Sequence, residues 1–279
     1  MSIVVHTNMS SLVAQRHLSN VSGNLTKHMN RLSSGLRINS AADDAAGVAL
    51  SEKLTTQVNA SEIAKRNIQT GMNMIQTAEA DLTVIQDNLQ RMRDLAVQSA
   101  NGVYSTAERQ TLDAEYKDRI KEINRIASSS SFSDIKLLDG TTPTGITLQI
   151  GTNNTLDDQL DISSMFKSFK AGQNDMPATT ATITTATTAR AQITAMDTAI
   201  NSISSARAEM GATLNRLQGS ITRVDTRKET MTEARSTIKD ADIAQESASM
   251  TRYQILQQSA TKMLAQANQA PSLALNLLG

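Results

Sequence analysis

Two carboxylates stand side by side at Asp43 and Asp44, and a proton shared by such a pair is a simple acid–base device. The spacing argues against it: adjacent residues on a helix do not face each other, so the pair reads as helix capping and intersubunit polar contact. His17 and His28 are eleven residues apart, about 16 Å along a helix. That is too far to share one metal ion, and they read as ordinary helix-face histidines. The chain has no H-E-x-x-H zinc motif, no phosphate-binding loop and no cysteine. No catalytic, metal-binding or cofactor-binding residue is expected.

The elements around these residues must therefore do something other than catalysis. Aromatic residues make up only 2% of the 279, while apolar residues reach 39%, so any core is aliphatic and suited to packing between helices. With 27 basic and 27 acidic residues spread along the chain, no field concentrates nucleic acid or an anionic membrane. No stretch of about 18 apolar residues exists to insert into a membrane. Met1 to Ser10 lacks the pattern of a cleaved signal peptide, so any export is expected to use another route.

Pro143, Pro177 and Pro271 are the only prolines, which leaves two long helical territories with a different region between them. In the first, Leu18, Val21, Leu25, His28 and Leu32 step by three and four. The rhythm returns at Ile75, Ala78, Leu82, Ile85, Leu89, Met92 and Ala96. Ser33 to Gly47 reads as a joint, with Ser40-Ala41-Ala42-Asp43 as a capping box for the next helix, which should end near Asn101-Gly102. Ser105-Thr106-Ala107-Glu108 is a second capping box. It opens a third helix through Leu112, Tyr116, Ile120, Ile123 and Ala127, folding back on the second.

Ile146, Leu148 and Ile150 then alternate, and Asp139-Gly140, Pro143 and Gly151 to Asn154 supply turns, so a small β-hairpin is expected. Residues 178 to 191, rich in Thr and Ala, read as a linker or frayed helix start. After them comes a heptad pattern with Ile193, Ile200, Arg207, Leu214, Ile221, Lys228 and Arg235 at a. Met196, Ile203, Met210, Leu217, Val224, Met231 and Ile238 stand at d. Roughly 45 residues at about 1.5 Å each make a rod near 70 Å long with an apolar seam that needs a partner helix. The basic a positions are either solvated breaks or charges that meet acidic residues of a neighbour and set register. The fold class is mainly α: a long antiparallel helical bundle or coiled coil formed by the N- and C-terminal segments, with a small β-hairpin region in the middle.

Two stretches are more specific: Arg31-Leu-Ser-Ser-Gly-Leu-Arg-Ile-Asn-Ser-Ala-Ala-Asp-Asp-Ala-Ala-Gly47 and Leu264-Ala-Gln-Ala-Asn-Gln-Ala-Pro271. Together with Leu89-Gln-Arg-Met-Arg-Asp-Leu-Ala-Val-Gln-Ser-Ala-Asn101 and Ile238-Lys-Asp-Ala-Asp-Ile-Ala-Gln-Glu-Ser-Ala248 they closely resemble bacterial flagellin, over nearly all of the chain except the middle. One departure is local: Ser133-Asp134 stands where the family often has an Asn-Gly turn.

The resemblance implies a short flagellin without the large variable outer domains. Residues 1–42 and 240–279 would form the tube-building terminal domain. Residues 43–239 would form a helical bundle with a hairpin at about 132–166 and a Thr-rich tip at about 170–191. It further implies polymerisation into the flagellar filament for swimming, by coupled folding of the terminal helices. Leu18, Val21, Leu25, Arg31, Leu32, Asp43, Asp44, Tyr253, Leu256, Ala260, Leu264 and Ala267 are the assembly residues.

The implied partners are further copies of the chain, the flagellar type III export apparatus, an export chaperone, and the filament cap and junction proteins. The implied location is the secreted, extracellular filament. Arg91, Leu95 and Glu115 align with the family residues read by the vertebrate Toll-like receptor 5. Two rival readings stay open: a hook-filament junction protein, and a signalling coiled coil of chemoreceptor type.

Overall fold

The computed structural model describes residues 7–141 and 145–276, without the side chains of 270–276; Pro143, expected to supply a turn, lies outside them. The chain forms two compact units, one of residues 1–58 with 229–279, the other of residues 59–228. Its helices are α1 (Met9–Ser34), α2 (Ala45–Ala100), α3 (Thr106–Ser129), α4 (Ala186–Lys239) and α5 (Ile243–Asn276). Helices α2 and α4 contribute residues to both units.

In the unit of residues 59–228, α2 buries Ile68, Ile75, Ala78, Leu82, Ile85, Leu89, Met92 and Ala96 along the stripe that the sequence predicts. Helix α3 starts at the Ser105 capping box, in which Ser105 Oγ accepts from Glu108 N and Glu108 Oε2 accepts from Ser105 N. It then runs antiparallel to α2, with Arg91 bridging to Glu115 at 2.9 Å and Arg119 donating to Asn88 at 3.3 Å.

Helix α4 runs antiparallel to α2 along a ladder of polar rungs. Lys65 meets Asp225, Arg93 meets Asp197, Lys228 meets Glu62, and Arg207 reaches Gln86 and Glu79. The basic heptad positions Arg207 and Lys228 thus meet polar and acidic groups of the facing helix in the same chain.

The buried stripe of α4 differs from the expected a/d seam. Ala189, Met196, Ile203, Met210, Leu217 and Val224 at d are buried, and so are Ala199, Ala206 and Thr213 at g; the a residues Ile193, Ile200, Leu214 and Ile221 are half-buried. The cause is a second neighbour. Tyr116 of α3 packs on α4, its hydroxyl donating to Gln192 at 3.1 Å and lying 4.0 Å from Met196 Sδ. A helix touching two others needs a wider apolar face than a two-stranded seam provides.

The middle of the chain holds two antiparallel strand pairs where one hairpin was expected. They are β1 (Ser131–Phe132) with β2 (Ile135–Lys136), and β3 (Thr147–Gln149) with β4 (Gln159–Asp161). Leu137, Leu138, Ile162, Phe166 and Phe169 are buried with them. The Thr/Ala-rich stretch is anchored rather than frayed. Ile183 is buried, its N–H donates to Asp113 at 2.7 Å, and its carbonyl accepts from Ser99 Oγ. Thr185 and Thr188 cap α4 reciprocally, each hydroxyl accepting from the other's N–H at 3.2 Å.

The two-residue turn between β1 and β2 places Ser133 at φ 46° and Asp134 at φ 66°. Both central residues of a type I′ turn need positive φ, a conformation that favours Asn and Gly. Asp134→Gly is therefore expected to stabilise this unit by about 0.5–1 kcal/mol, read as a rise in melting temperature.

Charge gives a second expectation. Hydrogen bonds from Lys228, Arg91 and Arg125 hold the carboxyls of Glu62, Glu115 and Glu122 below the ordinary range, and the Ser105 backbone N–H does so for Glu108. A carboxyl depressed in the folded state stabilises above its unfolded pKa and loses that contribution as pH falls through the folded one. Thermal stability should therefore be level from about pH 5 to 8 and fall below about pH 4. A melting series across pH measures this.

Candidate assembly surface

Helix α1 begins at Asn8, whose Oδ1 accepts from Ser11 N at 3.0 Å, and ends where Gly35 takes φ 70° and returns its N–H to Arg31 O. Left-handed backbone of this kind suits glycine at a helix C-terminus. The residues of α1 that lose exposure include Ser11, Ala14, Leu18, Val21, Leu25, His28 and Leu32. On α5 they include Glu246, Met250, Tyr253, Gln257, Ala260, Leu264 and Ala267. Both sets step by three and four, and the two helices lie antiparallel at close range. Small residues at Ser11, Ala14, Ala260 and Ala267 leave room for that approach.

The expected assembly residues Leu18, Val21, Leu25, Leu32, Tyr253, Ala260, Leu264 and Ala267 thus lie on a seam inside one chain, while Leu256 points away from it, 43% exposed. The apolar residues left facing outward include others: Met9, Leu12, Val13 and Met29 on α1, and Ile255 and Met263 on α5. Sequence reasoning missed these. Each lies off the strongest three-four stripe, and apolar residues in excess of one stripe were the available signal.

Arg31 belongs to a polar cluster within the seam. Glu246, nearly buried in the first turn of α5, accepts from His28 Nδ1 at 2.5 Å and from Arg31 Nη1 at 3.2 Å. The His28 ring stacks on Tyr253 with centroids 5.1 Å apart. A carboxylate withdrawn from water needs such partners. His28, read from the sequence as an ordinary face residue, is thus a seam residue.

Asp43 and Asp44 divide the capping work. Asp43 Oδ2 accepts from the backbone N–H of Asn39 and Ser40 at 3.3 Å each, while its Oδ1 lies 3.1 Å from Lys27 Nζ. The Lys27 hydrogen bond holds its carboxyl below the usual range. Asp44 Oδ1 accepts from Gly47 N at 2.9 Å, which makes Asp44 the cap of α2. Helix α2 accordingly starts at Ala45, and Ser40 to Asp43 form a separate turn closed by Asp43 N to Ser40 O at 3.0 Å. A Cβ on Gly47 would stand 2.5 Å from both Asp44 Oδ2 and Ile38 Cδ1, so any larger residue there must displace the capping side chain of Asp44 and the buried side chain of Ile38. The joint also pairs with the α4–α5 junction, through Arg37 N to Lys239 O at 2.7 Å and Ala241 N to Gly35 O at 2.9 Å.

Exposed Arg91 and half-buried Glu115 are bound to each other, with two hydrogen bonds of 2.9 and 3.0 Å. Leu95 is 0% exposed and belongs to the core, so the structure does not bring it to the surface that Arg91 and Glu115 share.

Helix α5 continues through Pro271 to Asn276. Proline has no N–H to give to the carbonyl four residues earlier, which is Ala267 O. That oxygen instead accepts from Asn8 Nδ2 at 2.7 Å. Asn8→Asp keeps an acceptor for Ser11 N and removes the donor, so it should destabilise the α1–α5 pair by about 1–3 kcal/mol. In a Pro271→Ala background the same change should cost little, because the alanine N–H takes over. Amide exchange of α5 in the four proteins of this cycle measures the coupling; equal effects in both backgrounds would refute it.

The profile described as "Bacterial flagellin N-terminal helical region" matches residues 5–142, and "Bacterial flagellin C-terminal helical region" matches residues 193–278. The chain is 38% identical over 285 residues to the "Flagellar filament 33 kDa core protein" of Treponema phagedenis, covering 99% of this chain and 100% of that one. It is 39% identical over 276 residues to the flagellin of Halalkalibacterium halodurans, again covering 99% and 100%. The crystal structure of Bacillus cereus flagellin matches 57% of this chain and 88% of its own, with a TM-score of 0.50 and 31% identity. A putative flagellar hook-associated protein from Vibrio parahaemolyticus matches 71% of this chain and 100% of its own, with a TM-score of 0.58 but 16% identity. That second likeness shows the fold alone, and neither the junction-protein nor the chemoreceptor reading is favoured. With both terminal profiles matched and relatives aligned from end to end, the chain belongs to the bacterial flagellin family, as a structural, self-polymerising subunit of the flagellar filament and not an enzyme.

Proposed function

We propose that polymerisation is driven by coupled folding of residues 1–42 and 240–279. The observation that carries this reading is the outward apolar set on α1 and α5: Met9, Leu12, Val13, Met29, Ile255, Leu256 and Met263. Two helices packed on one seam bury only one stripe each. Helical segments gain most of their stability from such packing, so a pair with apolar residues on its free faces gains further when neighbours cover them. In this reading Leu18, Val21, Leu25, Leu32, Tyr253, Ala260, Leu264 and Ala267 hold the pair together. Arg31 joins it through Glu246, and Asp43 and Asp44 hold the joint beneath it.

Deleting residues 240–279 is expected to leave a soluble monomer that forms no filament by electron microscopy. Normal filaments from the truncated chain would end the proposal. Substituting Leu12, Val13 and Leu256 by Ser should raise the critical concentration for polymerisation while leaving the melting of residues 59–228 unchanged.

The same reading includes export of the unfolded chain through the flagellar type III apparatus with a chaperone, and addition beneath the filament cap onto a junction protein. Loss of the chain from the medium of cells lacking that apparatus tests it. Recognition of the monomer by Toll-like receptor 5 rests on Arg91 and Glu115 as the presented pair, with Leu95 supporting them from the core. Arg91→Ala with Glu115→Ala should abolish a receptor reporter response, and an unchanged response would exclude this surface.

A further inference from the structure

Methionine is distributed unevenly. Of the described methionines only Met9, Met29 and Met263 are exposed, at 63%, 51% and 66%, and all three lie on α1 or α5. Within residues 59–228, Met74, Met92, Met165, Met176, Met196 and Met210 are buried and Met72 is half-buried. Met9 and Met263 line one groove between α1 and α5 together with Val13, Ala14, Ala260 and Ala267. Exposed thioethers are therefore confined to the helices whose free faces must be covered in the polymer.

Thioether sulfur is oxidised far more readily when solvent reaches it. A hydroperoxide transfers one oxygen to sulfur: the O–O bond breaks, an S–O bond forms, sulfur loses two electrons, and hydrogen peroxide leaves as water. The sulfoxide is polar and accepts hydrogen bonds, whereas the groove around Met9 and Met263 is lined mainly by aliphatic carbon from Val13, Ala14, Ala260 and Ala267, with Ser10 and His17 as its polar side chains. Covering such a group with an apolar neighbour strips its water without replacing it.

We propose that Met9, Met29 and Met263 are peroxide-oxidation sites that block polymerisation of the free subunit and become protected once it is in the filament. The proposal rests on the reading that neighbouring subunits cover the free faces of α1 and α5. The buried methionines in the core of residues 59–228 are untouched by it, so an oxidised subunit remains folded there while failing to polymerise.

The test treats full-length monomer and preformed filaments with hydrogen peroxide, maps sulfoxides by peptide mass spectrometry, and then measures seeded growth. In monomer, Met9, Met29 and Met263 should oxidise well before Met92, Met196 and Met210; in filaments the three should be protected. Oxidised monomer should show a critical concentration about tenfold higher or more. Methionine sulfoxide reductase should restore growth.

A triple variant, Met9→Leu with Met29→Leu and Met263→Leu, should polymerise normally before and after peroxide. Blockage of that variant by peroxide would place the sensitive group elsewhere and overturn the proposal, as would normal growth of oxidised wild type. If the three sulfurs oxidise equally in monomer and filament while growth is still blocked, the coverage reading fails and the oxidation sites stand. If the triple variant does not polymerise even untreated, single leucine variants decide: each should remove its own share of the peroxide effect, and none doing so overturns the proposal.

Discussion

The close antiparallel pairing of α1 with α5 is the constraint on which the assembly function depends. It joins segments separated by more than 200 residues, Asn8 to Ala267 at one end and His28 and Arg31 to Glu246 at the other. Closing so long a loop adds only slowly to the entropic cost, but the reward must come from the seam itself. That seam is narrow and built largely from small and aliphatic side chains. What it cannot bury stays on the free faces, and the proposed polymerising surface lies there.

The unit of residues 59–228 has a different economy. Three helices surround one core of mainly aliphatic side chains joined by Tyr116, Phe166 and Phe169, and polar rungs run along its rim, from Lys65–Asp225 through Arg207–Gln86 to Arg93–Asp197. Exposed ion pairs add little stability in water. Their geometry nonetheless favours one antiparallel alignment of α2 with α4, since displacing either helix by a turn separates every rung at once.

Much of this was legible in the sequence. The α2 stripe, the Ser105 capping box, the mainly helical class and the antiparallel pairing of α2 with α4 follow from periodicity and capping chemistry. The outermost ends, by contrast, were expected to find partners only in other subunits, and α1 instead pairs with α5 within the chain. What was not legible depends on the number and identity of neighbours. A heptad pattern announces an apolar face but not that α3 also lies against α4, so the burial of Ala199, Ala206 and Thr213 could not be read. Leu95 aligned with a surface role, yet burial is decided by how α2 turns toward its partners. Ser40 and Asp44 are both good caps, and the close fit of Gly47 against Ile38 is a tertiary fact. The outward apolar set was visible as composition and not as a surface, because the seam had first to be located.

The bond from Asn8 to Ala267 makes the last turns of α5 a conditional helix. Ahead of Pro271 the ladder lacks one rung of its own, and the missing donor is lent by the residue that begins α1. Neither terminus is complete without the other: α1 supplies the amide, and α5 supplies the carbonyl that fixes where that amide points. The start of one helix thereby biases the register of the other, since an α5 matched to a different stretch of α1 loses this bond and leaves the Ala267 carbonyl to solvent.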